Sequence, residues 1–78
     1  MEFDAELDAR GLASPLPILC AKKAMDKMTD GLVLRVLATD QKSPKDFVAF
    51  CRQTGNDLLV ASKEGEDFIF FLRRNTIG

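Results

Sequence analysis

The sequence contains no histidine, no tryptophan and no tyrosine. Without histidine a Ser-His-Asp triad is impossible, and the commonest protein ligand for zinc is missing. Two cysteines, Cys20 and Cys51, are too few for a four-thiolate site, and Asp26, Asp30, Asp40 and Asp46 lack the spacing of a cation-binding loop, so no metal is expected. Gly11, Gly31, Gly55 and Gly65 fall one to a turn rather than in a phosphate-binding loop; nucleotide binding is disfavoured and no cofactor is expected. Neither sign of charge dominates. Eleven Lys and Arg against twelve Asp and Glu leave a net charge of −1, which gives no overall attraction to nucleic acid or anionic lipid. The Arg73-Arg74 pair is weak evidence for an RNA contact, and the best stacking side chains are absent. No apolar run approaches the roughly 20 residues of a membrane span. The acidic start at Met1 to Asp4 has no export-signal core, so a cytoplasmic protein with reduced thiols is expected.

What is present is 78 residues, 46% apolar and 29% charged, the size and balance of a single domain over 1–78. Phe3, Ala5 and Leu7 alternate with Glu2, Asp4, Glu6 and Asp8, which predicts a first strand with one apolar face and one acidic, wet face. After the break at Arg10 to Ala13, Ser14-Pro15 opens a helix to about Met28. Pro17, Ile18, Ala21, Ala24, Met25 and Met28 face inward, and Leu16, Leu19 and Cys20 lie off that side. Asp30-Gly31 is a turn, and the β-branched, apolar run Leu32 to Ala38 is a central strand. Ser43-Pro44-Lys45-Asp46 reads as an N-cap, a first-turn proline and a capping-box acid opening a second helix. That helix buries Phe47, Phe50 and Cys51 and ends at Gly55. Leu58 to Lys63 and Asp67 to Arg73 alternate around Glu64-Gly65 as a hairpin, and the tail from Asn75 to Gly78 is expected to fray. The order β-α-β-α-β-β gives an α/β (α+β) two-layer sandwich, a four-stranded mixed sheet with two helices on one face.

The segment Gly11 to Pro17 is unusual. Ser14 is placed at the N-cap of the first helix, with Pro15 and Pro17 at its first and third positions, a stiff and electropositive site. A serine cap with proline-assisted initiation is sufficient to explain these residues by spacing alone. Beside them Lys22, Lys23 and Lys27 form a basic strip next to Leu16 and Leu19. The strip reads either as a solvated helix face or as a docking surface for an acidic partner.

The run Leu7-Asp8-Ala9-Arg10-Gly11-Leu12-Ala13-Ser14-Pro15-Leu16-Pro17, followed by Lys22-Lys23, resembles the signature of the TusA-like (SirA-like) sulfur-carrier family. Gly31, Thr39-Asp40, Ser43 to Asp46, Phe50-Cys51 and Thr54-Gly55 extend the similarity in the same order across essentially the whole chain. The resemblance implies the same β-α-β-α-β-β fold. It implies a carrier that accepts persulfide sulfur from a cysteine desulfurase or rhodanese-like donor and passes it to an acceptor protein. The outlets would be tRNA thiolation, cofactor assembly or sulfur oxidation. Direct contact with nucleic acid or membrane is not expected, and a monomer is. The family's site maps onto Ser14 at the position of the sulfur-bearing cysteine of Cys-Pro-x-Pro, with Gly11, Pro15 and Pro17 in support. Partner contacts map near Leu16, Leu19, Lys22 and Lys23.

Ser14 is the departure that matters. A helix N-terminus suits a thiolate, but a serine hydroxyl forms no stable persulfide and stays protonated without a base, so this chain is expected to be inert at position 14. Cys20 is the alternative thiol, about 9 Å further along the helix axis and beyond the reach of the first-turn dipole. The competing reading is a non-catalytic protein-binding or regulatory module on the same fold, with Ser14 as a cap only.

Overall fold

The computed structural model describes residues 1–75, and the chain order is β1 (Ala5–Ala9), α1 (Leu16–Asp26), β2 (Val33–Ala38), α2 (Ser43–Thr54), β3 (Asp57–Glu64) and β4 (Asp67–Arg73). The strands lie in the order β1-β2-β4-β3, with β1 parallel to β2 and the other pairs antiparallel. A parallel β1–β2 pair requires a crossover, and α1 is that crossover. The result is the four-stranded mixed sheet with two helices expected from the sequence.

Register decides which side chains reach the core. Ala5, Leu34, Leu72 and Leu58 form one cross-strand row beneath the helices, Leu7, Val36, Phe70 and Ala61 the next, and Ala9, Ala38 and Phe68 the third. From above, α1 contributes Pro17, Ala21 and Met25, and α2 contributes Phe47, Phe50 and Cys51. Phe47 stacks on Phe70 with centroids 4.5 Å apart and meets Phe50 edge-on at 6.4 Å, so one aromatic cluster joins α2 to the sheet.

The C-terminal end of β4 is tied to the C-terminal end of α1. Arg74 Nη1 donates to the Met25 carbonyl at 3.0 Å and lies 3.6 Å from Asp26, a guanidinium placed on the carbonyls that end a helix. Arg73 pairs with Asp57 at 2.9 Å, so both arginines considered for RNA are engaged within the fold. Among the described residues no helix is long and apolar enough to cross a membrane.

Several local expectations are corrected. Phe3 does not continue the apolar face of β1. The chain bends at Asp4, and the Phe3 ring crosses to the open face of the sheet, where it meets Phe71 edge-on at 6.1 Å with the Arg35 guanidinium 5.6 Å from its centroid. Those two partners outcompete strand alternation for a ring that the two helices leave uncovered. The first helix stops at Asp26 rather than Met28. Ser43 is the first residue of α2 rather than its cap; Lys42 is the N-cap, and the capping box does not form. Ser43 is instead buried, at 2% exposure. Asn75 is held by its N–H to Asn56 Oδ1 at 2.9 Å, while 76–78, where fraying was expected, lie outside the described residues.

Gly55 ends α2 as expected, in the left-handed region at φ 80°, its N–H donating to the Cys51 carbonyl at 2.9 Å. A Cβ at this φ is strained, so Gly55→Ala is expected to destabilise the fold by about 1 kcal/mol in urea titration, with an unchanged dependence on denaturant.

Candidate functional site

Two loops meet at the C-terminal ends of the parallel strands β1 and β2, and the first carries position 14. Gly11, at φ 81°, turns the chain out of β1, and its N–H donates to Thr39 Oγ1 at 2.9 Å. Three residues later the Ser14 N–H donates to Asp40 Oδ2 at 3.1 Å. Asp40 Oδ1 in turn accepts from the Lys42 N–H at 2.8 Å. The Lys42 and Ser14 N–H groups hold the Asp40 carboxyl below the usual carboxylate range.

Ser14 does not cap α1. Pro15 is the N-cap residue, joined to Ser14 by a cis peptide bond, and Leu16 and Pro17 are the first two helical positions, so the helix starts one residue later than expected. The prolines at 15 and 17 have no N–H to offer, and the Leu16 N–H is taken by the Ala13 carbonyl at 2.9 Å. Left without an amide to accept from, the hydroxyl acts as a donor instead. Ser14 Oγ donates to Asp46 Oδ2 at 2.6 Å, across 32 residues of sequence, as a charge-assisted bond. The acid expected to complete a capping box on α2 faces α1 instead.

The electrostatic expectation is corrected by the same contact. A helix N-terminus is electropositive in principle, but here two prolines remove donors and two carboxylates, Asp40 and Asp46, bond to the residue at position 14. Position 14 is a site for a proton donor more than for an anion.

The remaining predicted residues fall into three places. Pro17 is buried and faces the core, while Pro15 and Ser14 open onto a groove of about 220 Å³ between α1 and α2, with Ile18, Asp46 and Phe50 as neighbours. Leu16 and Leu19, 46% and 49% exposed, share a second groove of about 370 Å³ on the outward side of α1 with Cys20, Lys22 and Lys23. Lys22 is held by Asp26 one turn on, at 3.3 Å. Sequence reasoning gave Asp40 and Asp46 only turn and capping roles. Nothing in local spacing signals a contact made across the α1–α2 groove.

Both cysteines are free thiols. Cys51 is 5% exposed, and burial, with the Asp57 charge adding to it, pushes its thiol up from 9.0 to about 11. Burial favours the neutral thiol, so this group's contribution to stability is complete below about pH 9 and is lost as pH rises through about 11. Cys20 is half-buried at the rim of the outer groove. Iodoacetamide applied to the native protein at neutral pH is expected to alkylate Cys20 alone, with Cys51 labelled only after denaturation, as peptide mass mapping would show.

A family model described as Sulfurtransferase TusA matches residues 5–74, which includes both loops, both helices and all four strands. The chain belongs to the TusA family of sulfur carriers. The sulfur carrier protein TusA of Allochromatium vinosum is 53% identical over 74 residues, covering 95% of this chain and 97% of that protein. The TusA sulfur carrier of Pseudomonas entomophila is 35% identical over 71 residues, covering 91% and 89%. The crystal structure of a SirA-like protein from Desulfitobacterium hafniense superimposes with a TM-score of 0.78 at 22% identity, over 90% of this chain and 96% of that one, a likeness of fold.

Proposed function

We propose that this TusA-family domain is built to carry sulfur at position 14. A cysteine desulfurase or rhodanese-like protein would donate, and an acceptor protein in tRNA thiolation, cofactor assembly or sulfur oxidation would receive, in the cytoplasm. The observation that supports this reading is the architecture around Ser14. A stiff Gly11-to-Pro17 loop, pinned to Thr39 and Asp40, holds one side chain at an open groove rather than in the core. Leu16, Leu19, Lys22 and Lys23 offer partners an apolar and basic surface immediately beside it. With a hydroxyl at position 14 the present chain docks without accepting sulfur. The test is intact-mass spectrometry of the chain and of its Ser14→Cys variant after exposure to a cysteine desulfurase with cysteine.

One observation favours the non-catalytic reading. The Ser14 hydroxyl is already engaged by Asp46 at 2.6 Å, as a purely structural serine would be. A binding or regulatory module predicts that the Ser14→Cys variant gains no sulfur and that partner affinity is unchanged by it.

A further inference from the structure

The α1–α2 groove contains an unusual charge. Asp46 lines it, half-buried, and among the described residues the carboxylate's hydrogen-bond partner is the neutral Ser14 hydroxyl and no cation pairs with it. Among the described residues the ion pairs of α1 lie elsewhere: Lys22 with Asp26 on the outward face, and Arg74 with Asp26 at the C-terminal end. Besides the carboxylate the groove is lined by the apolar side chains of Pro15, Ile18, Ala49 and Phe50, with Ser14 and Gln53 as its other polar residues. Its volume, about 220 Å³, falls below the roughly 300 to 1,000 Å³ of pockets for drug-sized ligands, so one side chain fits it better than a small molecule does.

A long cationic side chain is complementary to both parts, because lysine and arginine carry a methylene stem that packs on apolar surface and a charged head that seeks a carboxylate. We propose that the α1–α2 groove receives a lysine or arginine of the partner protein, its stem over Ile18 and Phe50 and its cation on Asp46. This rests on the carrier reading, since it places the partner's basic residue beside position 14. It also sets a polarity for docking. The partner would present a basic residue to Asp46 and acidic residues to Lys22 and Lys23 on the outward face of α1, so that one orientation is favoured and the reverse opposes like charges.

Amide NMR of the isotope-labelled chain, titrated with N-acetyl-arginine methylamide and with its uncharged norleucine counterpart, reads the proposal directly. The arginine compound is expected to shift the amides of Ser14, Ile18, Ala49 and Gln53, and the norleucine compound to leave them in place. Asp46→Asn should weaken arginine binding by about two- to fivefold, the range for loss of one solvent-accessible ion pair, and added salt should do the same to the parent chain. Shifts centred on the acidic strand face at Glu6 and Asp8, or an affinity indifferent to Asp46→Asn, would overturn it. So would a concentration-dependent dimer abolished by Asp46→Asn, which would give the groove to a second copy. Sulfur transfer to the Ser14→Cys chain tests the carrier reading separately. In that background Asp46→Asn should raise the KM for the carrier in desulfurase turnover, a loss of docking read separately from the gain in thiolate that the same change gives at position 14. If the Ser14→Cys chain takes up no sulfur while the arginine compound still binds at Asp46, the carrier reading fails and the groove stands.

Discussion

Replacing Ser14 by cysteine is expected to convert a chain that gains no mass from a cysteine desulfurase and cysteine into one that gains a single sulfur atom. The transfer needs a thiol that attacks the donor's persulfide, keeps the outer sulfur and releases the donor as a thiol. A hydroxyl cannot make the corresponding stable product, so the difference between the two chains is all or none. Geometry tempers the rate. With Asp46 Oδ2 2.6 Å from the present oxygen, an introduced thiolate faces a carboxylate, and the prolines leave few amides to offset it. The introduced thiol is therefore expected to titrate no lower than an ordinary cysteine, and Asp46→Asn in the same chain should raise its thiolate fraction at neutral pH by roughly tenfold, as alkylation rates against pH would show. A mass gain by the parent chain would assign the chemistry to Cys20. No gain by either chain would favour the binding module.

The fold was largely legible because its signals are local. Period-two runs gave β1, β3 and β4, the β-branched Leu32 to Ala38 stretch marked the central strand β2, and Gly55 closed α2 through its left-handed conformation. The errors at Phe3, Ser14 and Asp46 share one physical origin, which is competition from tertiary partners that sequence spacing does not reveal. Phe3 left its alternation for Phe71 and Arg35, residues far along the chain. Ser14 and Asp46 each had a respectable local role, a cap and a capping-box acid, and gave both up for one another once Pro15 and Pro17 had removed the amides that Ser14 would have bonded. The motif thus singled out position 14, but the electrostatic surroundings of that residue had to be read from the packing of α2 on α1.

That packing rests on very few side chains, which makes Phe70→Ala the second large effect expected. Phe70 is fully buried in the central row of the sheet and stacks on Phe47 of α2 at 4.5 Å. Truncating a buried phenylalanine costs about 3–5 kcal/mol, against a total of roughly 4–12 kcal/mol for a chain of this length. Phe70→Ala is therefore expected to be largely unfolded or to lose most of its urea midpoint, followed by far-ultraviolet circular dichroism. Val48→Ala, on the exposed side of the same helix at 43% exposure, should stay within about 0.5 kcal/mol of the parent. Phe70→Leu retains part of the buried volume and tests the link to the site. Phe47 is the residue after Asp46, so loosening its stack should free the Asp46 carboxylate from Ser14 before the sheet is lost. The readout is the Ser14 amide resonance, expected to move in Phe70→Leu while the amides of Asp4 and Gly31, at the opposite end of the sheet, hold their positions. An unmoved Ser14 amide would mean that the loop's bond to Asp40, rather than the Phe47–Phe70 stack, holds position 14 in place.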